Sequence, residues 1–403
     1  MPTLIPNSIA LVLPGEAMWG AFQTGFVIQM GARLREAGFG DQPYALTVGS
    51  SSGSLVATVA AAGAPFDHDF ARNAWIDFGL ASKVTRKRLN PHPAALREVF
   101  DRGLVDTSRA FGSDTQVVLT AANYDPLGLR HLREEAAAVL GASLALFLAG
   151  PCEKTCERLA VNAAILVETG GLLFAPHYFT NKPSLPERAQ IEKADRREHW
   201  TVVDGPAHLR QAVEASSRIP YLYGKPIELA DGLLIDGVFA DNAPVELALE
   251  LGARTVFVVT SSKRGNVFPK PVQSLFQRGL HALLGSADKA ARRLPSGPAV
   301  KRLRESLGEL AKLDGLVPDP RPLDLDSLRN RYPDRAIHVI HPDRVSFPVN
   351  RFFESRPEVF GGIYDMGVRA AERALQQGVL DLYPARTRSD WPQTDAATAP
   401  TGT

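Results

Sequence analysis

Apolar residues along this chain gather in short unbroken runs separated by longer mixed segments. Ser8-Ile-Ala-Leu-Val-Leu13, Tyr44-Ala-Leu-Thr-Val48, Gln116-Val-Val-Leu-Thr-Ala-Ala122 and Thr255-Val-Phe-Val-Val-Thr260 show no apolar–polar alternation. Strands covered on both faces have that pattern, whereas half-solvated strands alternate. The first run passes at Pro14-Gly15 into a helical stretch reaching Met30, and the second passes into the small-residue helix Ser54–Gly63. Strand, helix, strand, helix predicts an α/β fold whose central sheet is mainly parallel.

Further elements follow the same logic. His208 to Ser217 predicts a helix, and Ile227–Leu229 and Leu233–Ile235 predict a strand pair around Asp231-Gly232. Glu246 to Leu251 predicts a helix that Gly252 can cap. Ala336 to His341 is a last strand, and Tyr364 to Gln377 a closing amphipathic helix. Pro65 to Gly112 is helical and polar, with a basic run at Lys83–Arg88; His131 to Leu148 is a helix that grows apolar; Ala163 to Phe174 is a hairpin around Gly170-Gly171. From there to Trp200 the chain is polar, charged and proline-bearing, which predicts a surface excursion. These elements predict one domain over residues 1–384, with insertions near 130–204 and 262–333, and a disordered tail over 385–403.

Composition narrows the partners. The 45 basic and 44 acidic residues leave a net charge of +1, so nothing favours nucleic acid. Between Arg278 and Lys312 eight basic residues face three acids on a helical segment. Its apolar face, Phe276, Leu280, Leu283 and Leu284, has core packing as the default, as Lys83–Arg88 has a solvated face, and peripheral contact with a membrane is the minority reading of both. The two cysteines, Cys152 and Cys156, have no companion Cys or His set at ligand spacing, so neither a metal nor another cofactor is expected and they read as cytosolic thiols. No basic segment precedes the first apolar run, and Ala136 to Gly150 is too short to span a bilayer, which takes roughly 20 residues. The expected location is cytoplasmic.

The candidate chemistry lies where the second strand ends. Gly49-Ser50-Ser51-Ser52-Gly53 has the G-x-S-x-G form of a nucleophile elbow, in which glycines admit a sharp strand-to-helix turn and the central serine, Ser51, stands at the tip. Acyl transfer also needs donors aimed at the oxygen that becomes negative. The loop Gly15-Glu16-Ala17, leading to Gly20 and opening the first helix, is placed to supply them at the same sheet edge. Serine needs a base, and His281, His338 and His341 are candidates by residue type, though none sits in a telling motif.

Together with Ala215-Ser-Ser-Arg-Ile-Pro220, Asp236-Gly237 and Asp241-Asn242-Ala-Pro244, these stretches resemble the patatin-like phospholipases. The resemblance implies a three-layer α/β/α fold and hydrolysis of lipid acyl esters, of phospholipase A or lysophospholipase type, by a Ser-Asp dyad without histidine. It makes Ser51 the nucleophile and Asp236 the proton acceptor. It assigns the oxyanion hole to Gly15, Glu16 and Ala17, with Gly20, Gly49, Gly53 and Gly237 supporting the turns. The family's oxyanion loop is glycine-rich, so Glu16 and Ala17 depart from it, as does Val238, where glycine or alanine is usual. A Glu16 carboxylate facing Ser51 would oppose the developing charge. Two alternatives stay open: a weakly active or non-catalytic protein that binds lipid or a protein partner, and a thioesterase or peptidase using the elbow with a histidine.

Overall fold

In the strand β1 (Ile9–Leu13) every residue is buried, and its side chains divide between two cores. Ile9, Leu11 and Leu13 enter one apolar cluster and Ala10 and Val12 the other, as the two-residue period of a strand dictates. This is the unbroken run of the sequence given its physical meaning. The structure is a computed structural model that describes residues 9–63, 67–81, 96, 99–124, 175–183, 199–218, 225–230, 232–261, 301, 324–342 and 356–378.

Along the chain these residues form β1, a 3-10 turn at Ala17–Trp19, α1 (Gly20–Glu36), β2 (Leu46–Ser50), α2 (Ser52–Ala61), α3 (His68–Ala81), α4 (Thr107–Phe111) and β3 (Gln116–Asn123). There follow β4 (Pro176–Thr180), β5 (His199–Val202), α5 (Pro206–Ser216), β6 (Ile227–Leu229), β7 (Gly232–Asp236) and a 3-10 turn at Gly237–Phe239. The last elements are α6 (Val245–Glu250), β8 (Thr255–Val259), α7 (Leu325–Arg331), β9 (Ala336–Ile340) and α8 (Pro357–Gln376). The sheet runs β5-β4-β3-β2-β1-β8-β9 and is parallel from β3 through β9. Residues of α1, α2, α3, α5 and α8 share the first cluster with one face of the sheet, and residues of α6 and α7 share the second with the other. The result is the three-layer α/β/α arrangement that the resemblance implies.

One departure bears on the site. The surface excursion expected up to Trp200 instead contains β4 and β5, and β4 is largely buried against β3. Pro176 stands at the first position of its strand, where a missing N–H is tolerated, and His177 is satisfied by Thr201 across the pair at 2.8 Å. The closing helix likewise begins at Pro357, ahead of Tyr364. The helix expected at 131–148, the hairpin at 163–174, the basic stretches at 83–88 and, but for residue 301, 272–313, and the tail lie outside the described residues.

The join at β3 decides where chemistry can occur. Strand β4 follows one edge of β3 as far as Ala122, while β2 runs along the opposite edge and ends with Ser50 beside Thr120. Antiparallel β7 then takes up that second edge from the other direction and ends with Asp236 beside Ala121. Two strands from distant parts of the chain therefore point their carboxyl ends at each other.

Candidate active site

Because β2 and β7 converge, Ser51 and Asp236 meet. The Ser51 hydroxyl donates to Asp236 Oδ2 at 2.6 Å, and the Val238 N–H donates to the other carboxylate oxygen at 3.0 Å. Asp236 is fully buried, and that desolvation pushes its carboxyl up to about 7, against the two hydrogen bonds that favour the charged form. A carboxyl poised there changes charge near neutral pH, as a proton acceptor for a hydroxyl must.

Ser51 occupies the backbone conformation of an elbow, with φ 53° and ψ −125°. Non-glycine residues hold such angles at a cost of about 1–3 kcal/mol, so the surrounding structure must enforce them. Gly49 and Gly53 allow the turn to close: a Cβ at Gly53 would overlap the Leu13 carbonyl oxygen, and one at Gly49 would overlap that of Gly53. Gly237 makes the same allowance on the β7 side, against the carbonyl of Thr120. In the loop after β1, a Cβ on Gly15 would fall 2.5 Å from the Cβ of Ser51, and at the start of α1 one on Gly20 would fall against Trp75.

The loop 15–17 lies beside the serine, but its amides are partly spoken for. Gly15 N–H donates to Asn242 Oδ1 at 2.8 Å, and Glu16 N–H to the Ser52 hydroxyl at 3.1 Å. Ala17 takes a left-handed φ of 53°, the angle at which glycine would be free of cost. An oxyanion forming at Ser51 would therefore compete with two side-chain acceptors for the Gly15 and Glu16 N–H groups.

Glu16 itself is buried with its carboxylate turned away from Ser51. Thr260 Oγ1 donates to Oε1 and the Ser261 N–H to Oε2, both at 2.6 Å, at the end of β8. Gln23 adds a second strap, its amide donating to the Pro14 carbonyl at 2.8 Å and to that of Val259 at 3.0 Å. The residue that departs from a glycine-rich loop thus fastens that loop to the neighbouring strand. Thr260→Val, similar in shape but without the hydroxyl, withdraws one donor from a buried carboxylate. It is expected to lower stability by about 1.5–3 kcal/mol in urea unfolding. An unchanged midpoint would show that the strap carries no stability.

Histidine has no hydrogen bond to either centre among the described residues. His338 stacks on Phe257 at 5.3 Å, and His341 donates to the Pro342 carbonyl at 3.0 Å; His281 lies outside the described residues. The partners that pattern reading missed are Ser216, Asn242, Gln23 and Thr260. Ser216 and Asn242 fall inside motif stretches, and Gln23 is a polar position on an otherwise apolar helix face.

A sequence family described as patatin-like phospholipase matches residues 11–249, a span that holds the elbow, the loop 15–20 and Asp236. The chain belongs to the patatin-like phospholipase family. Among solved structures, VipD from Legionella pneumophila is similar at 14% identity, over 91% of this chain and 67% of that chain, with a TM-score of 0.29. No curated protein sequence matches the chain. Family membership supports lipid acyl hydrolysis in general as the chemistry of this patatin-like phospholipase. No helix among the described residues is long and apolar enough to cross a membrane, and no group of three or more His, Cys, Asp or Glu among them could hold a metal ion.

Proposed function

We propose that the protein is a serine acyl hydrolase of lipid esters, of phospholipase A or lysophospholipase type, that works through an acyl-enzyme on Ser51. The observation that carries this reading is the 2.6 Å hydrogen bond from a strained, elbow-borne serine to a buried aspartate held up to about 7. Ser51 Oγ adds to the ester carbonyl as its proton passes to Asp236, and the tetrahedral oxyanion is met by N–H groups of Gly15, Glu16 and Ala17. Collapse expels the alcohol, which takes the proton back from Asp236. Water, activated by the same carboxylate, then releases the fatty acid. Gly20, Gly49, Gly53 and Gly237 shape the turns and take no part in bond making.

The outward turn of Glu16 supports this reading over a non-catalytic one, since its charge does not face the reacting oxygen. We place the reaction in one domain over residues 1–384, in the cytoplasm, with peripheral membrane contact where the substrate is a bilayer lipid. The deciding experiment treats the full chain with a fluorophosphonate and maps the adduct. A phosphonylated peptide containing Ser51, together with fatty-acid release from phospholipid vesicles, is expected. Folded protein that takes up no label overturns the proposal.

A further inference from the structure

We infer that Ser216 is a positioning residue for this reaction, its hydroxyl holding the nucleophile's backbone in the strained elbow. The inference rests on the acyl-hydrolase reading of Ser51 and Asp236. Ser216 ends α5 and is fully buried. Its Oγ accepts the Ser51 N–H at 2.9 Å and donates to the Thr120 carbonyl at 2.6 Å. The hydroxyl thereby accepts one bond from the elbow and donates its one proton to the β3 residue that marks the junction of β2 and β7.

The same short segment holds the base. Two residues on, the Arg218 carbonyl accepts the Asp236 N–H at 3.0 Å. The Ser216 hydroxyl and the Arg218 carbonyl thus hold the backbone of the nucleophile and the backbone of the proton acceptor, whose side chains meet in the Ser51–Asp236 hydrogen bond. The Ser51 N–H is thereby engaged by a side-chain acceptor, as are those of Gly15 and Glu16. A residue at φ 53° relaxes when its amide is released, which would carry Oγ away from both Asp236 and the ester.

Ser217 provides a matched control. It is almost as buried, but its hydroxyl donates back to the Val213 carbonyl within the helix and touches neither centre. Ser216→Ala is expected to lower kcat and the fluorophosphonate labelling rate of folded protein by about 10- to 100-fold, with KM unchanged. Ser217→Ala stays near wild type. The acidic limb of the pH–rate profile should also move upward in Ser216→Ala, because the Ser51 hydrogen bond that favours charged Asp236 is weakened. Should the alanine variant not fold, Ser216→Cys, close in volume and weak in hydrogen bonding, carries the same comparison. Rates and pH midpoints that match between the Ser216 and Ser217 variants overturn the inference while wild type still labels. An unlabelled wild type overturns the acyl-hydrolase reading, and this inference with it.

Discussion

Ser51→Ala is expected to lose fluorophosphonate labelling and to lower ester hydrolysis by about 10⁴- to 10⁶-fold, the scale seen when a catalytic nucleophile is removed. The size follows from the absence of a substitute beside it. Ser50 and Ser52 flank Ser51, yet the Ser52 hydroxyl accepts the Glu16 N–H and that of Ser50 is buried beneath Gly237. Neither shares the hydrogen bond to Asp236, so neither inherits its proton acceptor. Binding should survive, because the loop 15–17 and the rest of the site remain, and Ser51→Ala should retain affinity for lipid vesicles equal to wild type. Label found on Ser50 or Ser52 in the variant, or turnover within tenfold of wild type, would remove Ser51 from the mechanism.

The parts of this site that sequence discloses are those where backbone sterics leave one residue type. Gly49 and Gly53 announce the elbow because a Cβ at either would run into main-chain carbonyls, so the turn writes itself into the sequence as glycine. The buried runs of β1, β2, β3 and β8 were legible for a similar reason, a strand covered on both faces having no polar position to spare. Strands β4 and β5 were hidden by Pro176 and by polar residues such as His177, whose partner Thr201 only the sheet supplies. Asp236 lies 185 residues from Ser51, and only the motif around it, not any local period, marked it out. Least legible were directions. That Gly15 N–H turns to Asn242 and Glu16 to Thr260 depends on where two distant strand ends come to lie, which no local pattern encodes.

Asp236→Asn should slow the reaction and, at alkaline pH, make the protein more stable. Removal of the proton acceptor costs about 10²- to 10⁴-fold in kcat. The stability effect follows from linkage. Burial raises this carboxyl from 3.8 to about 7, so between those values the folded state binds a proton that the unfolded chain has released. The stability contributed by Asp236 is therefore fully present below about pH 4 and is lost as pH rises through about 7, a swing of about 4 kcal/mol. Asparagine carries no charge to desolvate. Its Oδ1 still accepts the Val238 N–H, and its amide can donate to the Ser51 hydroxyl, so the site stays paired. Urea unfolding at pH 5 and pH 8 should show the variant gaining on wild type as pH increases. Over the same range the wild-type rate should rise through a midpoint near 7 to a plateau. A stability difference that ignores pH would mean that Asp236 is not held neutral by its burial. Full activity in Asp236→Asn, with loss of activity on replacing a histidine, would mean that another group takes the Ser51 proton. On the proposed mechanism, the carboxylate that makes Ser51 reactive is thus the one the fold would be more stable without, and its cost is greatest at the pH where it is charged and able to work.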